Sequence, residues 1–420
     1  MNQNTYIALD LGSSRITAMA AEVLESGAVK VLATESKAAD DVYHGIIEHT
    51  SGAAFKISEL LKLLQNSAKI RDIQQVCVAL NAKSMKLSKS STTRFIGQGK
   101  IVTDALLDEM KEECERKNSD ENNVVFDVIP VSFEIDGKIT TDPVGQSGNQ
   151  ITGNYHVVKG NARILQQLKS CFVRNQIQIE YAPLSVEALS TVLTEEEERQ
   201  NGCALIDFGA STTTLAVYKN DVLQDLLVVP LGSKNITYDI AELGIEESNA
   251  ERLKCLTGVA MEKFVEKPVY VQVAPSSGTD PVRISTLFLA QIINARLDEM
   301  TEPVFKVLEV LSFPLESGII ITGGGAKLKF LKEFVEEKSG LKVRWGNHSD
   351  WLEDQAPDYL ADSSYSQLLG TILLANENRR LHPLKSENTT KKGQKNKKKI
   401  TERITDGFLR FFDDETTWNK

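Results

Sequence analysis

The chain carries one sequence pattern twice: IALDLGSS at residues 7–14 and LIDFGASTT at residues 205–213. Each copy is a short apolar run that ends in Asp-x-Gly and continues with two or three hydroxyl residues. Such an apolar run is typical of a buried strand, and its glycine allows a tight reversal with positive φ. A second extended run follows each copy. The repeat therefore predicts a duplicated domain whose two hairpins face each other across a cleft.

The residues around each predicted turn suit a phosphorylated ligand. Backbone N–H groups and Ser or Thr hydroxyls in such a turn can face an anion. Asp10 and Asp207, at the two strand ends, are placed to hold a hydrated Mg²⁺, which prefers carboxylate and water oxygens. The candidate phosphate-binding residues are Gly12, Ser13, Ser14, Gly209, Ser211, Thr212 and Thr213.

A third stretch, IIITGGGA at residues 319–326, is an apolar run that leads into three glycines. Together with the two hairpins it resembles the motifs of the actin, Hsp70 and sugar-kinase superfamily. The resemblance implies an α/β, actin-like ATPase fold in which two duplicated domains enclose ATP and Mg²⁺, with Asp10 and Asp207 as the catalytic carboxylates if hydrolysis occurs. It also implies an adenosine site where a Cβ would collide with the nucleotide. The glycines of that site would be Gly323, Gly324 and Gly325.

Residues 84–159 are the part of the chain that departs from actin. From the residues alone they form a small α+β module inserted at a domain edge. Their VIP at residues 128–130 and DPVGQSG at residues 142–148 are very similar to the insert of FtsA, a family of actin-like bacterial cell-division proteins. The resemblance implies an SHS2-type subdomain, 1C, that serves self-association and contacts later division proteins. The alternative is a module that only packs against the body.

The resemblance implies the limits of the other subdomains as well. The segments of subdomain 1A would be residues 1–83, 160–200 and 358–382. Those of subdomain 2A would be residues 201–230 and 313–357, with subdomain 2B at residues 231–312. The tail would comprise a disordered basic linker at residues 383–399 and an amphipathic membrane-targeting helix at residues 400–420.

Two residues near the expected phosphates follow from the superfamily pattern. A Gln or Glu at the start of the helix that crosses to the second half positions the attacking water in that superfamily. Glu187 is the candidate here, because a carboxylate can orient and activate water, and a surface glutamate is the alternative. Arg15 stands where FtsA relatives commonly have a phosphate-binding Lys. Arginine keeps the positive charge but carries it on a planar guanidinium group.

The second half contains two further stretches that resemble family motifs. Gly232 would approach the nucleotide closely, although Ser233 stands where a second glycine is usual. Glu251 and Lys254 match the family's Ala-Glu-x-x-Lys. By resemblance, Glu251 would face the ribose hydroxyls or the base, and Lys254 would face the adenine side.

A helix is predicted from Val282 to Glu299 in subdomain 2B. By resemblance, this region docks the carboxy-terminal peptide of FtsZ, the tubulin-like ring protein. Arg296 would pair with an acidic group of that peptide. The alternative is an internal ion pair with Asp298, Glu299 or Glu302.

The composition is that of a globular protein of more than one domain. The chain has 420 residues, of which 41% are hydrophobic, and this length exceeds one ordinary core. Its five cysteines are scattered, which indicates reduced thiols rather than disulfides. No secretory signal and no run of eighteen apolar residues is present, so we expect neither secretion nor a membrane span.

The tail differs from the body in charge. The body is acidic, since the net charge is −10 although residues 385–403 carry eight Lys or Arg against two Glu. A short amphipathic helix after this polar, Lys-rich stretch suits an anionic membrane surface. The apolar face consists of Ile400, Ile404, Phe408, Phe411 and Phe412. A helix that folds back, a partner groove and a nucleic-acid arm are the alternatives. FtsA chains end in such a helix, so we expect a membrane and no nucleic acid.

The leading hypothesis is an FtsA-like tether. It would bind ATP and Mg²⁺, polymerise as an actin-like filament, and hold FtsZ at the cytoplasmic face of the membrane at the division septum. ATP would act mainly as an assembly switch, with weak or vestigial ATPase activity at most. The rivals are a PilM-type pilus-assembly ATPase, a family that lacks the amphipathic tail, and a soluble kinase of the same superfamily.

Overall fold

A computed structural model describes residues 4–278 and 280–381 of the chain. The predicted linker at residues 383–399 and the predicted helix at residues 400–420, with its proposed membrane-facing side chains, lie outside the described residues. Within the described ranges, no helix is both long enough and apolar enough to cross a membrane.

The described part alternates strands and helices. The strands are β1 (Thr5–Leu11), β2 (Arg15–Val23), β3 (Val29–Ala38), β4 (Val42–Tyr43), β5 (Ile46–Ile47), β6 (Gln75–Val78), β7 (Lys86–Ile101), β8 (Asn123–Ile135), β9 (Lys138–Thr140), β10 (Ser147–Asn161), β11 (Gln178–Tyr181), β12 (Cys203–Phe208), β13 (Thr213–Lys219), β14 (Val222–Val229), β15 (Tyr270–Val273), β16 (Val282–Ser285), β17 (Ile319–Thr322) and β18 (Val343–Trp345). The helices are α1 (Thr50–Ala68), α2 (Asp104–Asn118), α3 (Arg163–Arg174), α4 (Ser185–Leu193), α5 (Glu196–Asn201), α6 (Ser233–Ala241), α7 (Glu247–Thr257), α8 (Thr286–Glu309), α9 (Leu331–Ser339) and α10 (Ser366–Leu381).

Two five-stranded sheets have the same topology. The first has the order β11-β6-β1-β2-β3, and the second, read from its other edge, has the order β18-β17-β12-β13-β14. In each sheet three consecutive strands pair antiparallel, and two later strands are added in parallel beside the first. A long helix lies between the third and fourth strands of each sheet, α1 in the first half and α8 in the second. The predicted duplication is confirmed.

Helix periodicity explains the burial of α1. Ile57, Leu60, Leu61 and Leu64 recur at spacings of three and four, and all are buried. Such a spacing places side chains on one face of a helix. Lys69, in the left-handed conformation with φ of 56°, ends the helix.

Both predicted limits of the helix from Val282 to Glu299 are wrong. Val282–Ser285 forms β16, which pairs with β15, and α8 runs from Thr286 through Pro303 to Glu309. The β-branched residues Val282 and Ile284 alternate with polar neighbours, which suits a half-buried strand.

The inserted module has its own sheet and core. Its sheet has the order β7-β10-β8-β9, and α2 packs against one face through Leu107, Met110 and Cys114. The module leaves the body after β6 and returns at α3. It also touches the second half, because His156 Nδ1 lies 2.7 Å from the carbonyl oxygen of Leu223. The insert is therefore an α+β unit that contacts both halves.

Candidate nucleotide site

The two hairpins bring Asp10 and Asp207 together. Asp10 lies near the end of β1, and Asp207 near the end of β12, each on the inner strand of its hairpin. Burial raises the pKa of Asp10 to about 6, while Arg15 and a hydrogen bond from Gln367 act in the lowering direction. Burial raises the pKa of Asp207 to about 7, and the charge of Asp10 adds to this effect. Two carboxylates that repel each other in a partly dehydrated cleft favour a cation between them.

Hydroxyl groups of the two hairpin loops also meet. Ser211 Oγ donates to Ser13 Oγ at 2.6 Å, and the backbone N–H of His44 donates to Ser211 Oγ at 2.9 Å. Lys234 Nζ, from the second half, donates to the carbonyl oxygen of Ser13 at 2.9 Å. A hydrogen bond thus joins the two predicted phosphate loops, and the ammonium group of Lys234 lies beside them.

The hairpin glycines serve a purpose other than the predicted positive φ. Neither Gly12 nor Gly209 has a positive φ. A Cβ at Gly12 would lie 2.9 Å from the carbonyl oxygen of Arg15, and a Cβ at Gly209 would lie 2.9 Å from that of Thr212. Each glycine is needed because the chain turns back onto it within three residues.

The other predicted hairpin residues lie at the turns. Ser14 and Arg15 are exposed, whereas Thr212 and Thr213 are buried. The hydroxyl of Thr213 donates to the carbonyl oxygen of Leu231 at 2.9 Å. Thr213 therefore ties the hairpin to the segment before α6.

The glycine run after β17 packs against the second hairpin. Gly323 has a φ of 93°, and a Cβ there would collide with Asp207 Oδ1. A Cβ at Gly325 would lie 2.9 Å from the carbonyl oxygen of Phe208, but one at Gly324 would meet no atom within 4 Å. A side chain at Gly323 or Gly325 is thus already excluded by protein backbone and the Asp207 carboxylate, and the predicted close approach of the nucleotide stays a prediction. Gly324 borders open space.

Gly232 belongs to the same arrangement. A Cβ at Gly232 would lie 2.6 Å from the carbonyl oxygen of Ala210. The backbone N–H of Ser233 donates to the carbonyl oxygen of Gly209 at 3.0 Å. The N-terminus of α6 is thereby held directly against the second hairpin, and Ser233 does not prevent the close approach.

Glu251 and Lys254 form a pair inside the second half. Lys254 is only 7% exposed, and its Nζ donates to the carbonyl oxygen of Ser233, to Thr237 Oγ1 and to Glu251 Oε2 at 2.7–2.9 Å. An ammonium has three donors, and all three are used here. Its hydrogen bond to Oε2 helps to position Glu251, and the predicted placement of Lys254 on the adenine side stays a prediction. Burial acts to raise the pKa of Glu251, but hydrogen bonds from Lys254 and Thr237 lower it overall, so Glu251 remains an ionised acceptor.

Glu187 lies beside the inserted module. Burial, followed by the charge of Asp127 on β8, raises the pKa of Glu187 to about 8. Its Oε2 is buried without a hydrogen-bond partner. Asp127, Lys111 and Glu377 are the charged groups that act on it, whereas the carboxylate that acts on Asp207 is Asp10. The strongest charge effect on Glu187 thus comes from the inserted module, and its role in positioning the attacking water stays a prediction.

Arg296 has an internal partner. Its Nε and Nη2 donate to the two carboxylate oxygens of Asp239, each at 2.6 Å, and its Nη1 donates to Glu299 at 2.5 Å. The alternative of an internal ion pair with Glu299 is thus found, and Asp239 is a second partner that the sequence did not indicate.

Gln367 and Ser185 are polar residues of the cleft that the sequence analysis missed. Gln367 Nε2 donates to Asp10 Oδ1 at 2.8 Å, and Ser185 Oγ donates to Gln367 Oε1. Gln367 follows Asp10 by 357 residues. A lone glutamine in a closing helix carries no motif, so no local signal could have identified it.

The donor set fits a hydrated Mg²⁺ better than a fully protein-coordinated metal. Among residues 4–278 and 280–381, no cluster of three or more His, Cys, Asp or Glu side chains could hold a metal ion. Mg²⁺ commonly keeps several waters and binds through one or two carboxylates and substrate phosphates. Asp10 and Asp207 supply those two carboxylates, beside the open space at Gly324.

Family models match most of the module and of the second half. Residues 204–370 match the model described as "Cell division protein FtsA", and residues 82–159 match "SHS2 domain inserted in FTSA". A "Cell division protein FtsA" of Borreliella burgdorferi is 26% identical over 98% of this chain and 99% of that protein. One of Neisseria meningitidis is 25% identical over 82% and 84%, respectively.

Solved structures with a similar fold are actin-like proteins. The "PilM-PilN type IV pilus biogenesis complex" has a TM-score of 0.64 at 17% identity, covering 88% of this chain and 98% of that chain. MreB5 of Spiroplasma citri bound to ADP has a TM-score of 0.52 at 13% identity, with 91% and 99% covered. The "MamK double helical filament" has a TM-score of 0.52 at 11% identity, with 89% and 98% covered. At these identities the likeness shows the actin-like fold alone.

Proposed function

Because the chain belongs to the FtsA family, we propose that it acts in cell division as an actin-like protein that binds ATP and Mg²⁺ between its two halves. The observation that carries the nucleotide proposal is the meeting of Asp10 and Asp207, beside joined hydroxyl loops and the open backbone of Gly324. Titration of the full chain with a fluorescent ATP analogue in the presence of Mg²⁺ tests it. Absence of saturable binding would refute it.

Different residues of the chain would contact different parts of the nucleotide and its Mg²⁺. Bound Mg²⁺ would neutralise charge on the phosphate oxygens, and Asp10 and Asp207 would hold its water ligands. Ser13 and Ser211 would exchange their mutual hydrogen bond for phosphate oxygens. Glu251, held by Lys254, would accept hydrogen bonds from the ribose hydroxyls. Hydrolysis would be slow, and the nucleotide would act mainly as an assembly switch.

Self-association into an actin-like filament is the second part of the proposal. A solved protein of similar fold is a double helical filament, which supports assembly of this chain. The inserted module, residues 84–159, would take part and would contact later division proteins.

Binding of the FtsZ carboxy-terminal peptide is proposed for subdomain 2B. Arg296 would have to exchange Asp239 for a carboxylate of the peptide, since its guanidinium is already paired. Asp239→Asn should therefore tighten peptide binding in a titration, because it removes the internal competitor. An unchanged affinity would leave Arg296 as an internal ion-pair residue only.

The tail would hold the protein on the cytoplasmic face of the membrane at the division septum. Co-sedimentation with anionic liposomes in the presence of ATP tests this, with a Phe408→Glu, Phe411→Glu double variant. Leu409→Glu is the matched control, because Leu409 lies off the predicted apolar face. We expect the parent and the control to pellet with lipid and the double variant to remain soluble. Equal pelleting of all three would refute the helix as the anchor, and the protein would then be better treated as a soluble actin-like ATPase with an unknown partner.

A further inference from the structure

The first turn of α10 reaches into the cleft. Gln367, its second residue, donates from Nε2 to Asp10 Oδ1 at 2.8 Å. Its Oε1 accepts a hydrogen bond from Ser185 Oγ, at the start of α4. Ser185 is only 2% exposed. The glutamine is therefore held at both ends of its amide.

The orientation of this amide is fixed by its neighbours. An ionised carboxylate only accepts hydrogen bonds, so the NH₂ group of Gln367 must face Asp10. The hydroxyl of Ser185 can donate, so it suits the carbonyl end. The reverse orientation would place two acceptors, Oε1 and Asp10 Oδ1, against each other.

Packing between α4 and α10 sets the position of Gln367. A Cβ at Gly370 would collide with the carbonyl oxygen of Ala188, so the two helices touch backbone to backbone there. Gln367 and Ser185 each lie three residues before this contact. Residues three apart share a helix face, so the parallel helices place the two side chains opposite each other.

The segment just before Gln367 is joined to the glycine run. Ser363 Oγ donates to the carbonyl oxygen of Gly323 at 3.4 Å, and Asp362 forms an ion pair with Lys327. Residues 362–367 therefore extend from the glycine run of the second half to the carboxylate of the first half.

We propose that Gln367 is a positioning residue for Asp10, which it holds in one orientation through a relay from Ser185. This inference rests on the proposed nucleotide site, because Asp10 would hold the waters of Mg²⁺ there. Gln367 itself would touch neither nucleotide nor metal. Its effect would consequently be confined to the Mg²⁺-dependent part of nucleotide binding.

Gln367→Met tests the proposal, since methionine has a similar length and no amide. The affinity for a fluorescent ATP analogue would be measured with saturating Mg²⁺ and with EDTA. We expect the tightening caused by Mg²⁺ to fall about tenfold, as for loss of one hydrogen bond to a charged group, and the affinity in EDTA to stay unchanged. Gln291→Met is the matched control, because Gln291 donates to the Glu262 carboxylate at 3.1 Å on the surface.

A double-mutant cycle separates a positioning role from a general structural one. In an Asp10→Asn background, Gln367→Met should cost little further Mg²⁺-dependent affinity. An equal loss in both backgrounds, or an unchanged Mg²⁺ effect in Gln367→Met, would overturn the proposal. If Gln367→Met fails to fold, Ser185→Ala should give a smaller loss of the same kind, and no loss there would overturn it.

The Mg²⁺ effect on binding by the wild-type protein distinguishes an error in the role of Gln367 from an error in the proposed nucleotide site. Wild-type protein that binds the analogue without any Mg²⁺ effect, or does not bind it, contradicts the nucleotide site and the inference together. Wild-type protein with a clear Mg²⁺ effect that Gln367→Met retains contradicts the role of Gln367 alone.

Discussion

The two halves share one sheet order but support their carboxylates differently. Asp10 is held by a side chain, Gln367, from a helix at the far end of the chain. Asp207 lies against backbone, because Gly323 leaves no room for a side chain beside its Oδ1. Duplication explains the presence of two facing carboxylates. The different supports show that each half has acquired its own way to fix one of them.

The chain after the fourth strand of each half shows the same contrast. After β17, Gly323 packs against the hairpin of its own half. After β6, Asn81 Nδ2 instead donates to Thr214 Oγ1 of the opposite half, at 3.0 Å. The second half therefore forms a contact with its own hairpin at this point, while the first half forms a contact across the cleft.

Replacement of Asp207 should have the largest effect on the cleft. We expect Asp207→Ala to weaken binding of a fluorescent ATP analogue in Mg²⁺ by at least about a hundredfold, or about 3 kcal/mol, because half of the carboxylate pair is lost. Asp10→Ala should act in the same direction. Thermal unfolding of each variant would show that the fold is intact. Unchanged affinity in folded Asp207→Ala would mean that the cleft is not the nucleotide site.

The glycine run offers a matched pair of substitutions. Gly323→Ala should lower the free energy of unfolding by about 2–3 kcal/mol, since it combines a positive φ with a collision. Gly324→Ala should change it little, because the added Cβ meets no atom within 4 Å. Chemical denaturation measures both. Equal destabilisation by the two variants would contradict the packing described for Gly323.

Replacement of Lys254 distinguishes a role in positioning Glu251 from direct contact with the nucleotide base. Lys254→Met should destabilise the protein without nucleotide by about 2–3 kcal/mol, because Glu251 and Thr237 lose a buried charged partner. Denaturation with and without an ATP analogue measures this effect. A variant as stable as wild type that nonetheless loses the analogue would instead indicate direct contact between Lys254 and the base.

Local patterns predicted the parts of the fold that depend on neighbouring residues. The three apolar strands and their glycine turns could be recognised because each lies within eight or nine residues of sequence. Even so, the reason for Gly12 was wrong, since the carbonyl of Arg15, not a positive φ, excludes a side chain. A short motif therefore identified the turn but not the contact that requires the glycine.

Contacts between remote segments could not be predicted. Arg296 and Asp239 are 57 residues apart, on α8 and α6, and only helix packing brings them together. Glu187 has the expected place near the start of α4, but no local signal indicates that the charge of Asp127 in the inserted module acts on it. Both depend on packing between elements, for which the sequence carries no local signal.

The smallest effect is expected at Glu187, in the dependence of stability on pH. Because the pKa of Glu187 is raised from 4.5 to about 8 in the folded protein, its contribution to stability is complete below about pH 4.5 and is lost as the pH rises from there through about 8. Glu187→Gln cannot ionise, so it should retain roughly 1 kcal/mol more stability than wild type at about pH 9. Thermal unfolding from about pH 6 to about pH 9 measures this. Exposed Glu197→Gln is the control, and a wild-type profile in Glu187→Gln would show that Glu187 ionises freely and could still serve the cleft.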